Sequence, residues 1–153
     1  MGNWKDKIEI RLGDITDEDT DVIVNAANED LARGGGVCGA IHMAAGPALE
    51  RECLDIGGCP PGEVVMTDSY DLFCRKVIHA VGPIYGGGAG TEEADMLASC
   101  YLESIRQTAE SGYESLAFPC ISTGTYGYPI EEACRVALAA IKEGLADNPE
   151  IIE

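Results

Sequence analysis

Short apolar runs along this chain alternate with longer stretches whose apolar residues recur every three or four positions. From Ile8 to Leu12, "IEIRL" switches between apolar and polar residues, the period-two pattern of a strand, and Gly13-Asp14 ends it. "DVIVNAA" (21–27) is a β-branched run of the kind found in a central, buried strand. "EVVMTDSYDL", "KVIHAVG" and "ESLAFPCIS" predict three more strands. Between them, "VCGAIHMAAGPALERECLDIG" predicts a helix that Pro47 bends or breaks. "TEEADMLASCYLESIRQTAESG" predicts another, with Thr91 as its cap, glutamates in its first turn and Gly112 as its stop. A last helix is predicted over "IEEACRVALAAIKEGLA". No repeat or linker interrupts the chain. Strands alternating with helices predict an α/β domain with helices on both faces of the sheet, residues 1–153 forming one unit.

Two segments share one grammar, an apolar strand followed by a glycine-bearing loop and a helix: "VIVNAANEDLARGGGVCGAIH" and "LAFPCISTGTYGYPIEEA". In open α/β sheets, ligands gather beyond the carboxyl ends of strands, where such loops lie. Glycine lets backbone N–H groups approach a phosphate closely, and a following helix N-terminus adds a favourable dipole. A single loop of this kind reads equally well as a tight turn; two in one small domain favour a phosphate ligand. The dinucleotide fingerprint G-x-G-x-x-G and the Walker A lysine are both absent.

Charge sharpens that reading. The chain carries 27 Asp and Glu against 10 Lys and Arg, for a formal net charge of −17. Such a surface repels nucleic-acid backbones and anionic membranes, so neither is an expected partner. A phosphate must then be held locally, by neutral donors. No apolar run approaches the roughly 20 residues of a membrane span. "MGNWKDKIEI" has no apolar core of a secretory signal, and Asp6 stands where a myristoylation site needs Ser or Thr. Seven scattered cysteines without a C-x-x-C pair fit free thiols in a reducing compartment. These features together predict a cytoplasmic protein.

Several blocks, "GDIT", "DVIVNAAN", "GGGVCGAIHMAAG", "VIHAVGP" and "AFPCISTGTYGYP", are ordered and spaced as in the macro domain, and resemble its MacroD-type branch. The resemblance runs from about Ile8 to the end of the chain. It implies a three-layer α/β/α sandwich around a central mixed sheet, with ADP-ribose in a cleft at the strand ends and no cofactor or metal. It assigns Asp14 to the adenine amino group, with the Ile15 backbone beside it. The backbone of Gly35, Gly36 and Val37 would hold the diphosphate from one side, and Ser122, Thr123, Gly124 and Thr125 from the other. Asn28 would bond the distal ribose, against which the Tyr126 ring packs. Asn28, Gly36, Cys38 and Tyr126 would form the reacting end. The implied activity is hydrolysis of ADP-ribosyl esters, on modified Asp or Glu side chains of proteins or on O-acetyl-ADP-ribose. The alternative is a non-catalytic reader of ADP-ribose.

Read as bare residues, these positions have other uses. Gly-Asp is a common turn or cap, asparagines satisfy loop backbone at strand ends, Ser122 or Thr123 suits a helix cap, and Tyr126 a core position. His42 and His79 sit in apolar runs and read as core histidines. Cys38 and His42 have the i, i+4 spacing of a metal pair, but no third ligand stands in an obvious position.

Two departures from the family pattern stand out. MacroD-type hydrolases usually carry an aspartate after "GGGV", thought to orient or activate water; here that residue is Cys38, and a neutral thiol is a poor hydrogen-bond acceptor and weak base for water. Family members also continue beyond the equivalent of "PEIIE" with a strand, an aromatic-bearing loop and a helix, which are not expected in these 153 residues.

Overall fold

The computed structural model describes residues 3–85, 91–124 and 126–153, the side chain of Thr91 excepted. The glycine stretch 86–90, Thr125 and the expected Thr91 cap therefore lie outside the described residues.

Strand β1 is Val22–Ala27; helix α1 is Gly36–Ala45 and α2 Pro47–Ile56. Strands β2 (Val64–Asp68) and β3 (Lys76–Val81) follow, then α3 (Thr91–Glu110), β4 (Leu116–Ala117) and α4 (Ile130–Asp147). The strands form one mixed sheet in the order β2-β3-β1-β4. β1 runs parallel to β3 and to β4, and β2 is antiparallel to β3. The carboxyl ends of the three parallel strands therefore open on the same side, and each feeds a loop there.

Strand alternation splits the core in two. Ile23, Ala27, Val77 and Val81 pack with Ile41, Ala45 and Leu49 of α1 and α2. Val22, Val24, Ile78 and Ala80 face the other way, against Leu97, Tyr101, Ala133 and Ala140 of α3 and α4. This is the expected three-layer sandwich. The predicted first helix breaks at Gly46, and Pro47 opens α2, where its missing N–H costs nothing. Helix α3 stops where expected: Gly112 adopts φ 82° and Tyr113 N donates to Thr108 O at 3.1 Å.

Two strand predictions need correction. Residues 8–12 form no strand, and Ile10 and Leu12 are fully exposed side chains. A period-two pattern supplies a strand's faces but not an edge to pair with. Both edges of β1 are taken by β3 and β4, and residues 152–153 lie along the outer side of β4, with Ile152 N donating to Glu114 O at 2.8 Å and Leu116 N to Glu153 O at 3.0 Å. The strand expected within "ESLAFPCIS" shrinks to Leu116–Ala117, because Pro119 has no N–H to continue a ladder.

Candidate functional site

At the carboxyl ends of β1 and β3 the surface opens into a cavity of about 490 Å³. Asn28, Glu29 and Asp30 line it from the β1 loop, Gly82, Pro83 and Ile84 from the β3 loop, and Tyr126 from the β4 loop; Pro61, Glu92, Glu93 and Met96 complete it. Among the predicted site residues, Asn28 and Tyr126 line this cavity directly. Asp14, Ile15, Gly35, Gly36, Val37, Cys38, Ser122, Thr123 and Gly124 do not, and Thr125 is outside the described residues.

The loop from Asn28 to Cys38 is held by its own side chains. Asn28 clamps the Ala32 peptide in both directions, Nδ2 donating to Ala32 O and Oδ1 accepting from Ala32 N, each at 3.0 Å. Cys38 Sγ donates to the same Ala32 oxygen at 3.6 Å. Gly35 sits at the N-cap of α1 and Gly36 begins the helix with φ 56°, in the left-handed region that glycine enters without strain. Gly35, Gly36 and Val37 thus stand at the free N–H end of a ten-residue helix, solvent-exposed, as an anion-binding turn requires.

The second loop is built differently. Ser122 and Thr123 do not cap a helix, since α4 starts only at Ile130 behind Pro129. No helix therefore starts directly behind this loop to lend it a dipole. Ser122 holds φ 66°, uncommon for a residue with a side chain, and its buried hydroxyl has no hydrogen-bond partner among the described residues. Tyr128 N closes the loop on Ser122 O at 2.9 Å, and Tyr85 N bonds Tyr126 O at 2.9 Å, tying the β3 and β4 loops together. Gly82 makes room at this junction, because a Cβ there would overlap Ser122 Oγ and Ile121 Cγ2. Burial, followed by the neighbouring Glu29, Cys38 and Asp30, pushes the Tyr126 phenol above its ordinary pKa, so the ring belongs to the same neighbourhood as the first loop.

Asp14 is exposed and caps the short 3-10 turn Ile15–Asp17, which packs against α1. Its Oδ1 accepts from Thr16 N at 2.9 Å and Thr16 Oγ1 at 2.7 Å, and these bonds hold its pKa below the usual carboxylate value. Both bonds use one oxygen, so Asp14 serves as a cap and keeps Oδ2 available to a donor.

Beneath the cleft floor, on the α1 and α2 face of the sheet, lies a polar group of residues that no sequence pattern connects. The parallel register sets Asn25 beside His79. Asn25 Nδ2 lies 3.0 Å from His79 Nδ1 and 3.6 Å from Cys38 Sγ, and His79 Nε2 lies 3.0 Å from Thr67 Oγ1. His42 and His79 are core histidines, as read from sequence, with ring centroids 6.4 Å apart. Burial pushes His79 down to about 3, so the ring is neutral. A thiol nucleophile needs an imidazole base against its sulfur; here the asparagine intervenes and the histidine does not take a proton. No group of three or more His, Cys, Asp or Glu suited to a metal occurs among the described residues.

Sequence reasoning missed the four carboxylates at the cavity: Glu29, Asp30, Glu92 and Glu93. Their position beside strand-end motifs was the available signal, masked by the high acidic content of the whole chain.

The family model described as "Macro domain" matches residues 24–137. The chain is 49% identical over 143 residues, 94% of its length, to the ADP-ribose glycohydrolase MACROD2 of Homo sapiens, and covers 34% of that protein. It spans about a third of the length of the MACROD2 relatives from Xenopus laevis and Mus musculus as well. It is 49% identical over 149 residues, 95% of its length, to an O-acetyl-ADP-ribose deacetylase of Enterobacter sp. (strain 638), covering 82% of it. Among solved structures it is similar to the Oceanobacillus iheyensis macrodomain with ADP, at TM-score 0.85 and 44% identity over 92% of this chain and 76% of that one. The Trypanosoma brucei macrodomain in complex with ADP-ribose gives TM-score 0.84 and 42% identity, over 92% of this chain and 58% of that one.

Proposed function

The chain belongs to the macro domain family, and from that premise we propose that it binds ADP-ribose and hydrolyses ADP-ribosyl esters, slowly because of Cys38. The observation that carries the binding reading is the convergence of Asn28 and Tyr126 on one cavity beside the bare helix N-terminus Gly35–Val37. In this reading the backbone N–H groups of Gly35, Gly36 and Val37 hold the diphosphate, and the Ser122–Gly124 turn closes over it from the β4 side. The lining contains no lysine or arginine among the described residues, so neutral donors carry the recognition. Asp14 Oδ2 accepts from the adenine amino group, with the Ile15 backbone beside it. Asn28 meets the distal ribose, and the Tyr126 ring packs on the sugar.

In the reaction, water is added across the ester linkage. ADP-ribose leaves, together with a free side-chain carboxylate of the modified protein, or with acetate when O-acetyl-ADP-ribose is the substrate. Gly36 and the ligand's own phosphate position that water. Cys38 contributes little as a base: its S–H is given to Ala32 O, and its sulfur accepts from Asn25. Without a positioned acid–base group, the rate falls by about 10²–10⁴. The names of the relatives, a glycohydrolase and a deacetylase, support the hydrolase reading. The engagement of Cys38 favours the second reading, a module that recognises ADP-ribose with little turnover. All seven cysteines are free thiols, which supports a reducing, cytoplasmic setting.

Single-turnover release of ADP-ribose from an aspartyl- or glutamyl-modified protein separates the readings, with the native chain run beside Cys38→Asp. A slow native rate that rises by about 10²–10⁴ in the variant is the expected outcome. A native chain that binds ADP-ribose and releases none from ester removes the hydrolase reading. Equal rates in both show that an aspartate at this position has no role.

A further inference from the structure

We propose that Asn25 is a positioning residue for the reacting end of the cleft, locked in orientation by His79 and Thr67, and that it dictates which way the group at position 38 points. The inference rests on the hydrolase reading only in naming that end as reactive. The geometry beneath it stands alone.

The direction of every bond in the chain follows from its far end. Thr67 Oγ1 donates its proton to the Asp68 carbonyl at 3.1 Å, so toward His79 it acts as an acceptor. His79 Nε2 is then assigned the hydrogen and donates to Thr67 at 3.0 Å, with Cys53 Sγ farther off, 3.9 Å from the same nitrogen. A neutral imidazole has one N–H, which leaves Nδ1 as an acceptor. The Asn25 group facing Nδ1 at 3.0 Å is therefore its NH₂, and the amide cannot turn over without setting oxygen against a lone pair. Burial keeps the ring neutral, its pKa down at about 3, so the pattern does not change with protonation near neutrality.

Asn25 Nδ2 has two hydrogens. One is fixed on His79; the other points at Cys38 Sγ, 3.6 Å away. The sulfur lone pair is occupied from below, and the thiol hydrogen is turned to Ala32 O, part of the peptide that Asn28 also clamps. One run of hydrogen bonds thus extends from the Asp68 carbonyl, through the sheet, to the loop carrying the distal-ribose residue. It holds a donor under position 38. A carboxylate placed there receives that donor on one oxygen and leaves the other for water; a thiol has only one heavy atom to offer. Residue 38 chooses the chemistry and Asn25 sets its aim.

Thr67 is buried and lies three links from Cys38, so it tests the chain without touching the cleft. Thr67→Val keeps the shape and removes the hydroxyl; Thr67→Ser removes a methyl and keeps it. Imidazole ¹⁵N NMR of the native chain should give the Nε2–H tautomer for His79, and finding Nδ1–H overturns the proposal without any variant. In Thr67→Val the tautomer should become mixed, and peptide-resolved alkylation of Cys38 by iodoacetamide should accelerate. In the Cys38→Asp background, where position 38 carries the carboxylate that Asn25 aims, adding Thr67→Val should lower single-turnover ester hydrolysis by about tenfold, with ADP-ribose affinity held within about twofold. Thr67→Ser should restore all of these. A packing role predicts the reverse, with Val like the native chain and Ser impaired, and that result overturns the proposal. If the native chain shows no turnover, the hydrolase reading fails, while tautomer and alkylation still decide: both unchanged in Thr67→Val refutes the positioning role.

Discussion

The two faces of the sheet solve the problem of buried polar groups in opposite ways. On the α3 and α4 face, strand residues are aliphatic, and the buried Ser104 and Thr108 hydroxyls bond back to their own helix, to Cys100 O at 2.7 Å and Ser104 O at 2.8 Å. These two hydroxyls are satisfied within one turn, while Cys100 Sγ donates to Val81 O and Tyr101 Oη accepts from Ile121 N, so the bonds that leave the helix end on backbone rather than on another side chain. On the α1 and α2 face, Asn25, His79 and Thr67 bond one another across three strands and reach Cys38 at the cleft, with the buried Asn25 Oδ1 left without a partner among the described residues. A polar group that bonds locally is inert cargo for a core; one that bonds across elements fixes their relative placement. One face supplies stability, the other aims a site.

The largest expected effect tests the first half of that contrast. Leu97→Ala, on the apolar face, should lower unfolding free energy by about 2–5 kcal/mol in urea, through lost burial and an unfilled cavity. ADP-ribose affinity of the folded fraction, measured by calorimetry, should stay unchanged. A drop in affinity at constant stability would erase the distinction between the faces.

Acid tests the second half. His79 is held near 3 when folded, against about 6.5 when unfolded, so the unfolded chain binds the extra proton. Stability is therefore full above the unfolded value and declines as pH falls below it, by about 2 kcal/mol from about pH 6.5 to about pH 5. Denaturant titrations at several pH values read this slope, and His79→Gln should flatten it. His42, also depressed by burial, acts in the same direction.

Smaller effects are expected nearer the surface. Asn28→Ala leaves the Ala32 N–H without its partner and the Ala32 carbonyl with only the Cys38 thiol, a cost of about 1–3 kcal/mol, together with weaker ADP-ribose binding. Asp14→Ala, on an exposed turn, should loosen only the local cap and show chiefly in selectivity for adenine over other bases. An Asp14→Ala protein equally tight for ADP-ribose and its hypoxanthine analogue, as native, would remove the adenine role.

Much of this was legible in the sequence. β1 and β3 announce themselves as continuous β-branched runs because both their faces are covered, and the break at Gly46-Pro47 follows from backbone chemistry alone. Residues 8–12 misled because periodicity describes a strand's faces while pairing depends on a free edge elsewhere in the fold. Asn28 was offered as loop support or as ligand; the clamp on Ala32 establishes the first use and leaves its place at the cavity intact. The Asn25–His79–Thr67 chain had no signature, since three residues spread over 55 positions meet only through strand register. The inward face of each strand could be read, but which residue sits beside which could not.

Four carboxylates at the mouth of the cavity carry one more consequence, for kinetics in salt. A doubly anionic ligand must approach through a field of its own sign, so the barrier lies in encounter rather than in the bound contacts. Raising ionic strength from about 0.01 M to about 0.15 M shortens the screening length from about 30 Å to about 8 Å. Association should therefore quicken as salt is added while dissociation hardly changes, the inverse of the behaviour of a lysine-lined phosphate pocket.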